Sequence, residues 1–173
     1  NVIVTKKNKV FFQKNALVRI PIRLGEDSFI SGKISKNNIK RLIKAIKAFK
    51  LIMHIHNISH YKAYATSALR ESNNSGVVLK KIIKKCELSI EVVDGMKEAK
   101  IISKSNKGNI ISPETTFLSI DVGGGSTEFS VLNKGKTITS KSFKLGTVRL
   151  INNMVPNKVW KDIHDWIITN TMD

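Results

Sequence analysis

The chain has 173 residues, enough to bury a core in one ordinary domain or in two small ones. Hydrophobic residues make up 41% of it, which excludes a largely disordered chain, and the single Cys86 excludes an internal disulfide and a cysteine-based zinc site. Thirty basic residues against 13 acidic ones give a net charge of +17, which favours polyanionic partners. Since the sequence contains neither an 18-residue apolar stretch nor a signal-peptide pattern, we expect a cytoplasmic protein with no membrane partner.

The first third of the chain predicts two strands, a loop and a helix. Apolar and β-branched residues at 2–5 and 10–20 are typical of strands, and a proline with two glycines predicts a loop over 21–33. Ser35 is a candidate cap for a helix in which apolar residues keep helical spacing as far as Ile52. The lysines on the other face of this helix are more typical of a solvated surface than of an anion site.

The middle of the chain alternates short strands with helices. Strands are predicted at 61–65 and 90–93, a helix at 77–86, and a further helix begins after the second strand and carries Glu98. A polar stretch over 103–115 is the best candidate for a boundary between domains. This alternation favours an α/β fold.

A glycine-rich turn between two apolar strands is the most informative motif. Its backbone N–H groups, with two hydroxyls, can form a nest for phosphate oxygens, and the flanking Asp121 and Glu128 can hold a cation or orient water. It is not a P-loop, because no Lys-Ser/Thr pair follows, and not a dinucleotide fingerprint, because a strand follows it. The residues of the predicted nest are Gly123, Gly124, Gly125, Ser126 and Thr127.

Two further residues are candidates for chemistry, each with a simpler alternative. Arg70 follows a run of small and hydroxyl residues at a predicted strand end, where an arginine can bind phosphate bidentately. The same pattern also fits a serine helix cap followed by an exposed arginine. Glu98 lies about one turn into its helix, either as a general base or as a surface glutamate favoured by the helix dipole.

Taken in chain order, the segments around Arg70, Glu98 and the glycine turn resemble the motifs of the exopolyphosphatase and guanosine pentaphosphate phosphohydrolase (Ppx/GppA) family. Lys97 and Lys100 depart from the pattern, because the family has a glutamate and an arginine there, whereas Glu98 matches the family's catalytic glutamate. The matching segments are ATSALR at 65–70, DGMKEAK at 94–100, DVGGGSTE at 121–128 and KLGTVRL at 144–150.

The resemblance implies an α/β fold of the actin-like ATPase (ribonuclease H-like) class. It implies that residues 1–105 form a first domain lacking its initial strand and phosphate loop, and that residues 106–173 begin a second domain. The missing loop is expected before Asn1, and the rest of the second domain beyond Asp173. A chain without that loop is expected to show little activity on its own.

The resemblance also implies an activity: hydrolysis of a phosphoanhydride bond in inorganic polyphosphate or guanosine pentaphosphate, in a cleft between the two domains. Glu98 would activate water, Glu128 would position it, and Asp121 would hold Mg²⁺. Arg70 and the glycine turn would bind the phosphoryl oxygens, and a homodimer of the full-length protein is compatible with this picture.

Two other functions stay open at this point. An actin-like ATPase or sugar kinase uses similar glycine loops but needs an adenosine pocket. A basic module that binds polyanions without turnover would explain the charge alone. The chain has only two Trp and two Tyr residues, which argues against specific nucleic-acid recognition by stacking.

Overall fold

The structure is a computed structural model that describes residues 2–6, 9–13, 18–105, 115–134 and 136–171. Contacts between Cα atoms divide it into two compact units, one formed by Ile20–Asp94 and the other by Asn1–Arg19 with Gly95–Asp173. The elements in chain order are β1 (Val2–Lys6), β2 (Lys9–Gln13), α1 (Leu24–Ser31), α2 (Lys36–Ile55), β3 (Tyr64–Ala65), α3 (Ser67–Arg70), α4 (Ser75–Cys86), β4 (Glu91–Val92), α5 (Gly95–Ser105), β5 (Thr116–Val122), β6 (Thr127–Asn133), β7 (Lys136–Phe143), α6 (Thr147–Ile151) and α7 (Lys158–Thr171).

The predicted domain boundary between residues 105 and 106 stays a prediction. Most of the polar stretch around it, residues 106–114, lies outside the described ranges. The two compact units are therefore described one at a time below.

The unit Ile20–Asp94 is built on α2 and α4, which pack together beside the parallel pair of β3 and β4. Ser35 caps α2, as predicted, because its side chain accepts a hydrogen bond from the Asn38 N–H. Val78 and Ile82 of α4 are fully buried in the core, where Cys86 also lies. Within the described residues, no helix is both long and apolar enough to cross a membrane.

Two predictions for the start of this unit are wrong. A helix, α1, lies where a loop was predicted, and the strand predicted to reach residue 20 does not do so, because residues 18–20 form no strand. The glycines that indicated a loop are compatible with a helix. Gly25 lies in its first turn, and Gly32 ends it in the left-handed conformation (φ 70°), donating its N–H to the Ser28 carbonyl.

The second unit contains an antiparallel sheet in the order β5-β6-β7. One face of this sheet carries Phe129 and Phe143, whose rings meet edge to face at 5.4 Å, and α7 packs against them through Ile163 and Trp166. Side chains alternate along a strand, so the neighbouring residues Glu128 and Ser142 lie on the opposite face. The hairpin of β5 and β6 agrees with the two strands predicted on either side of the glycine turn.

Candidate functional site

The glycine turn connects β5 and β6 and is held from one side by the start of α6. Each of its three glycine carbonyls accepts one hydrogen bond from that helix, and the donors are three consecutive residues. The bonds run from the Thr147 N–H to the Gly123 carbonyl (3.0 Å), from the Val148 N–H to the Gly124 carbonyl (3.0 Å), and from Arg149 Nε to the Gly125 carbonyl (2.7 Å).

The direction of these carbonyls determines the direction of the N–H groups. In a planar trans peptide the N–H points opposite to the C=O of the preceding residue, and the described residues contain no cis peptide. The N–H groups of Gly124, Gly125 and Ser126 therefore all point away from α6. Among the described residues, no backbone carbonyl accepts a hydrogen bond from these three groups. Successive N–H groups that share a direction are the geometry of an anion-binding nest.

Close contact, rather than an unusual dihedral angle, explains the glycine at residue 146, beside this turn. A Cβ on Gly146 would overlap the backbone of Gly124 and Gly125, whereas the described glycine with a left-handed φ is Gly32, far along the chain. Thr127 reinforces the contact, because its hydroxyl donates to the carbonyl of Leu145. Thr127 as a whole is only 2% exposed, so it contributes to the shape of the turn.

Two carboxylates lie side by side on the face of the sheet away from α7. Asp121 pairs directly with Glu128 across β5 and β6, and Glu128 pairs with Ser142 across β6 and β7. Ser142 Oγ donates a hydrogen bond of 2.7 Å to Glu128 Oε1. Glu128 is only 3% exposed, whereas Asp121 is exposed. Like charges directly opposite each other destabilise a sheet, a cost that a bound cation would offset.

Helix α5 begins against this carboxylate face. Its first residue, Gly95, lies so close to Ser142 that a Cβ there would overlap the serine side chain. Glu98 follows in the first turn of α5, where it is half-buried, and the helix packs on β6 and β7. The structure thus brings the predicted residues Glu98, Glu128 and Asp121 into one unit with the glycine turn.

Arg70 lies in the unit Ile20–Asp94, at the end of α3, which follows β3 in the chain. Its Nη1 donates a hydrogen bond of 2.7 Å to the carbonyl of Val93, just beyond the end of β4. Arg70 is half-buried, and its guanidinium is held at the carboxyl end of both strands, the edge where open α/β sheets bind ligands. This placement agrees with the strand-end position predicted for Arg70.

Sequence reasoning missed three residues that shape the site: Ser142, Arg149 and Gly146. Arg149 and Gly146 belong to the segment 144–150, which resembles a family motif but whose residues received no predicted function. Arg149 is an arginine only 8% exposed, and burial of that residue type usually requires a partner. Ser142 carries no sequence signal, since its contact depends on the register of β7.

Comparison of solved structures defines the class of protein. The chain is similar to an exopolyphosphatase from Cytophaga hutchinsonii, with a TM-score of 0.77 and 25% identity over 98% of this chain and 55% of that one. The structure alternates helices and strands and shares its fold with that exopolyphosphatase, which confirms the predicted α/β class.

Sequence comparison identifies the family. The model of the Ppx/GppA phosphatase family matches residues 2–162, and the chain belongs to this family. A bifunctional 3-dehydroquinate synthase/phosphatase from Fusobacterium nucleatum is 31% identical over 86% of this chain and 24% of its own length. Exopolyphosphatase 1 of Mycobacterium tuberculosis is 29% identical over 79% of this chain and 40% of its own length. The chain therefore spans between 24% and 55% of the length of these relatives.

Proposed function

We propose that this chain supplies part of a phosphohydrolase that releases orthophosphate from inorganic polyphosphate or guanosine pentaphosphate. The observation that carries the proposal is the common direction of the Gly124, Gly125 and Ser126 N–H groups, which suits a tetrahedral oxyanion. The names of two relatives, both exopolyphosphatases, support the same class of substrate.

In this proposal, the glycine turn binds the terminal phosphoryl group. The N–H groups and the Ser126 hydroxyl donate to its oxygens, and Gly123 and Thr127, also predicted ligands, complete the turn. Because α6 holds the carbonyl side, the donors need little reorganisation when negative charge spreads over the phosphoryl oxygens in the transition state.

Glu98 is proposed as the general base. A water molecule attacks the terminal phosphorus, its proton passes to the Glu98 carboxylate, and the bond from that phosphorus to the bridging oxygen breaks. The products are orthophosphate and a chain one phosphate shorter. Glu128, held by Ser142, orients the attacking water beside the base. Its burial supports this role, because a buried carboxylate keeps a defined position.

The Asp121–Glu128 pair fits Mg²⁺, which commonly binds one or two carboxylates together with substrate phosphates. Among the described residues, no group of three or more His, Cys, Asp or Glu side chains forms a larger metal site. In this proposal Asp121 holds the ion. When bound, Mg²⁺ would neutralise charge on the phosphoryl oxygens.

Arg70, which lies in the other unit, is proposed to bind phosphoryl oxygens. The bond to the Val93 carbonyl fixes its guanidinium, and a fixed guanidinium recognises phosphate more specifically than an ammonium does. Replacement by lysine, which keeps the charge, should raise KM for polyphosphate about tenfold, whereas an unchanged KM would remove Arg70 from the site. A cytoplasmic location and a homodimer stay predictions, which cell fractionation and size-exclusion chromatography would check.

Phosphate release by the full-length protein tests the proposed function. We would compare polyphosphate of defined length, guanosine pentaphosphate and ATP, each with Mg²⁺ and with EDTA. Release from one of the first two, lost in EDTA, is the expected result. Release from ATP alone would favour an actin-like ATPase, and binding of polyphosphate with no release from any substrate would favour a polyanion-binding module.

Glu98→Gln tests the proposed base. Phosphate release should fall at least tenfold, since general-base catalysis is typically worth about 10²–10⁴. Glu26→Gln is the matched control, because it makes the same change at an exposed glutamate of α1 and should leave turnover unchanged. Near-normal turnover by Glu98→Gln, with the protein folded, would remove Glu98 from the catalytic role.

A further inference from the structure

We infer that Ser142 is a positioning residue that orients the Glu128 carboxylate for catalysis. The inference rests on the proposed function, since it assigns a role within the same site. It concerns a residue that lies outside every motif by which the family was recognised in the sequence.

The contact between the two residues is built into the sheet. Glu128 and Ser142 are directly opposite each other on β6 and β7, and the hydroxyl donates to Glu128 Oε1 at 2.7 Å. Hydrogen bonds to ionised groups are short and strong, and a buried carboxylate depends on them for its stability and its orientation. Ser142 therefore determines which way one oxygen of Glu128 faces.

Gly95, at the start of α5, also lies against the Ser142 side chain. The absence of a side chain at residue 95 leaves room for the Ser142 Cβ and hydroxyl, because a Cβ there would overlap both. The serine is thus enclosed between the start of α5 and the Glu128 carboxylate. Glu98 lies three residues after Gly95 on the same helix, so this contact also links the two proposed catalytic glutamates.

A nearby serine provides a matched control. Ser140 lies two residues earlier on the same strand and the same face, and it is half-buried like Ser142. Its cross-strand partner is Ser130 and not a carboxylate. Ser140→Ala removes a hydroxyl from the same environment without touching Glu128.

The experiment measures phosphate release from polyphosphate by the full-length protein, with melting temperatures for each variant. Ser142→Ala should lower kcat about tenfold, the scale of a lost hydrogen bond to a charged group, with KM within about twofold. Ser140→Ala should leave both constants unchanged. In a Glu128→Asp background, which keeps a carboxylate but shortens its reach, Ser142→Ala should change kcat by less than about twofold.

The outcomes separate this inference from the proposed function. No phosphate release by the unmodified protein would overturn the proposed function, and the role of Ser142 with it. Release by the unmodified protein together with an unchanged kcat for Ser142→Ala would overturn the inference alone. An equal loss in both Ser142→Ala and Ser140→Ala, or an equal loss with Glu128 and with Asp at residue 128, would show that Ser142 does not act through Glu128.

Discussion

Two tight corners of the molecule are held in opposite ways. At the glycine turn, donors on α6 bind the carbonyls of Gly123, Gly124 and Gly125. At the corner between α1 and α2, side-chain oxygens accept the backbone N–H groups. The bonds at that corner run from the Ser35 N–H to Asp27 Oδ2 (2.8 Å) and from the Ile34 N–H to Asn74 Oδ1 (2.9 Å).

The difference separates a corner that serves the fold from one that can bind a ligand. Every polar backbone group needs a partner, so a corner whose N–H groups are bonded internally offers nothing to an anion. A corner whose carbonyls are bonded internally directs its N–H groups to the opposite side of each peptide. The first arrangement depends on a titratable side chain, Asp27, and the second on main-chain contacts and on glycine at residue 146.

Gly146→Ala should have the largest effect. The new Cβ would overlap the backbone of Gly124 and Gly125, which cannot rotate away as a side chain can, so the turn must separate from α6. We expect a loss of about 3 kcal/mol in the free energy of unfolding, the upper range for overpacking. Phosphate release should fall more than tenfold. Urea unfolding and turnover of the full-length protein measure both.

Gly76→Ala is the control for that substitution. Gly76 lies in the first turn of α4, where an added Cβ meets no atom within 4 Å. Alanine favours helix over glycine, so the free energy of unfolding should stay level or rise by up to about 1 kcal/mol. If both alanine variants lost similar stability, close contact at Gly146 would not explain its glycine.

Arg149→Met should have the next largest effect. It removes the donor to the Gly125 carbonyl and leaves that oxygen buried, which costs about 2 kcal/mol for a bond to a charged group. The N–H of Ser126 shares a peptide with that carbonyl, so KM for polyphosphate should rise as well. Turnover kinetics and urea unfolding together measure the two effects.

Arg41→Met sharpens the comparison. Arg41 also donates to main-chain carbonyls, those of Pro21 and Ile22, but it is exposed and its contacts lie in the other unit. We expect a smaller loss of stability, about 1 kcal/mol, and kinetic constants within about twofold. A rise in KM equal to that of Arg149→Met would argue against a specific role for the glycine turn.

The sequence was sufficient to predict the turn and its acids because they are local. The apolar segments on either side of the glycines identified β5 and β6, and a hairpin places Asp121 and Glu128 opposite each other whenever its two arms pair in register. The order of the motif segments along the chain matched that of the Ppx/GppA family, which indicated their roles. The placement of Glu98 in the first turn of a helix followed from the strand before it.

The contacts that organise the site could not be predicted, because they depend on register and on distance. The pairing of β6 with β7 shifts between Val131 and Leu132, so the partner of Glu128 cannot be counted from the hairpin alone. The helix α1 was missed for a related reason. Gly32 was interpreted as a loop residue, although it ends the helix, and the burial of Phe29 that stabilises α1 is a tertiary effect.

Asp27→Asn should have the smallest effect, and its pH dependence tests the other corner. Burial raises the pKa of Asp27, but hydrogen bonds from Ser35 and Asn38 outweigh it, so the pKa lies below its ordinary value of 3.8. A lowered pKa means that the carboxylate stabilises the fold above the unfolded pKa and that this contribution disappears as pH falls through the folded one. We expect the variant to lose about 1 kcal/mol of unfolding free energy at pH 7, and this difference from the unmodified protein to disappear below about pH 4, with turnover unchanged.

Thermal unfolding between pH 7 and pH 3 measures this difference, with Asp165→Asn on the exposed side of α7 as control. A gap independent of pH would mean that Asp27 holds the corner by shape and not by charge, as the main chain does at the glycine turn.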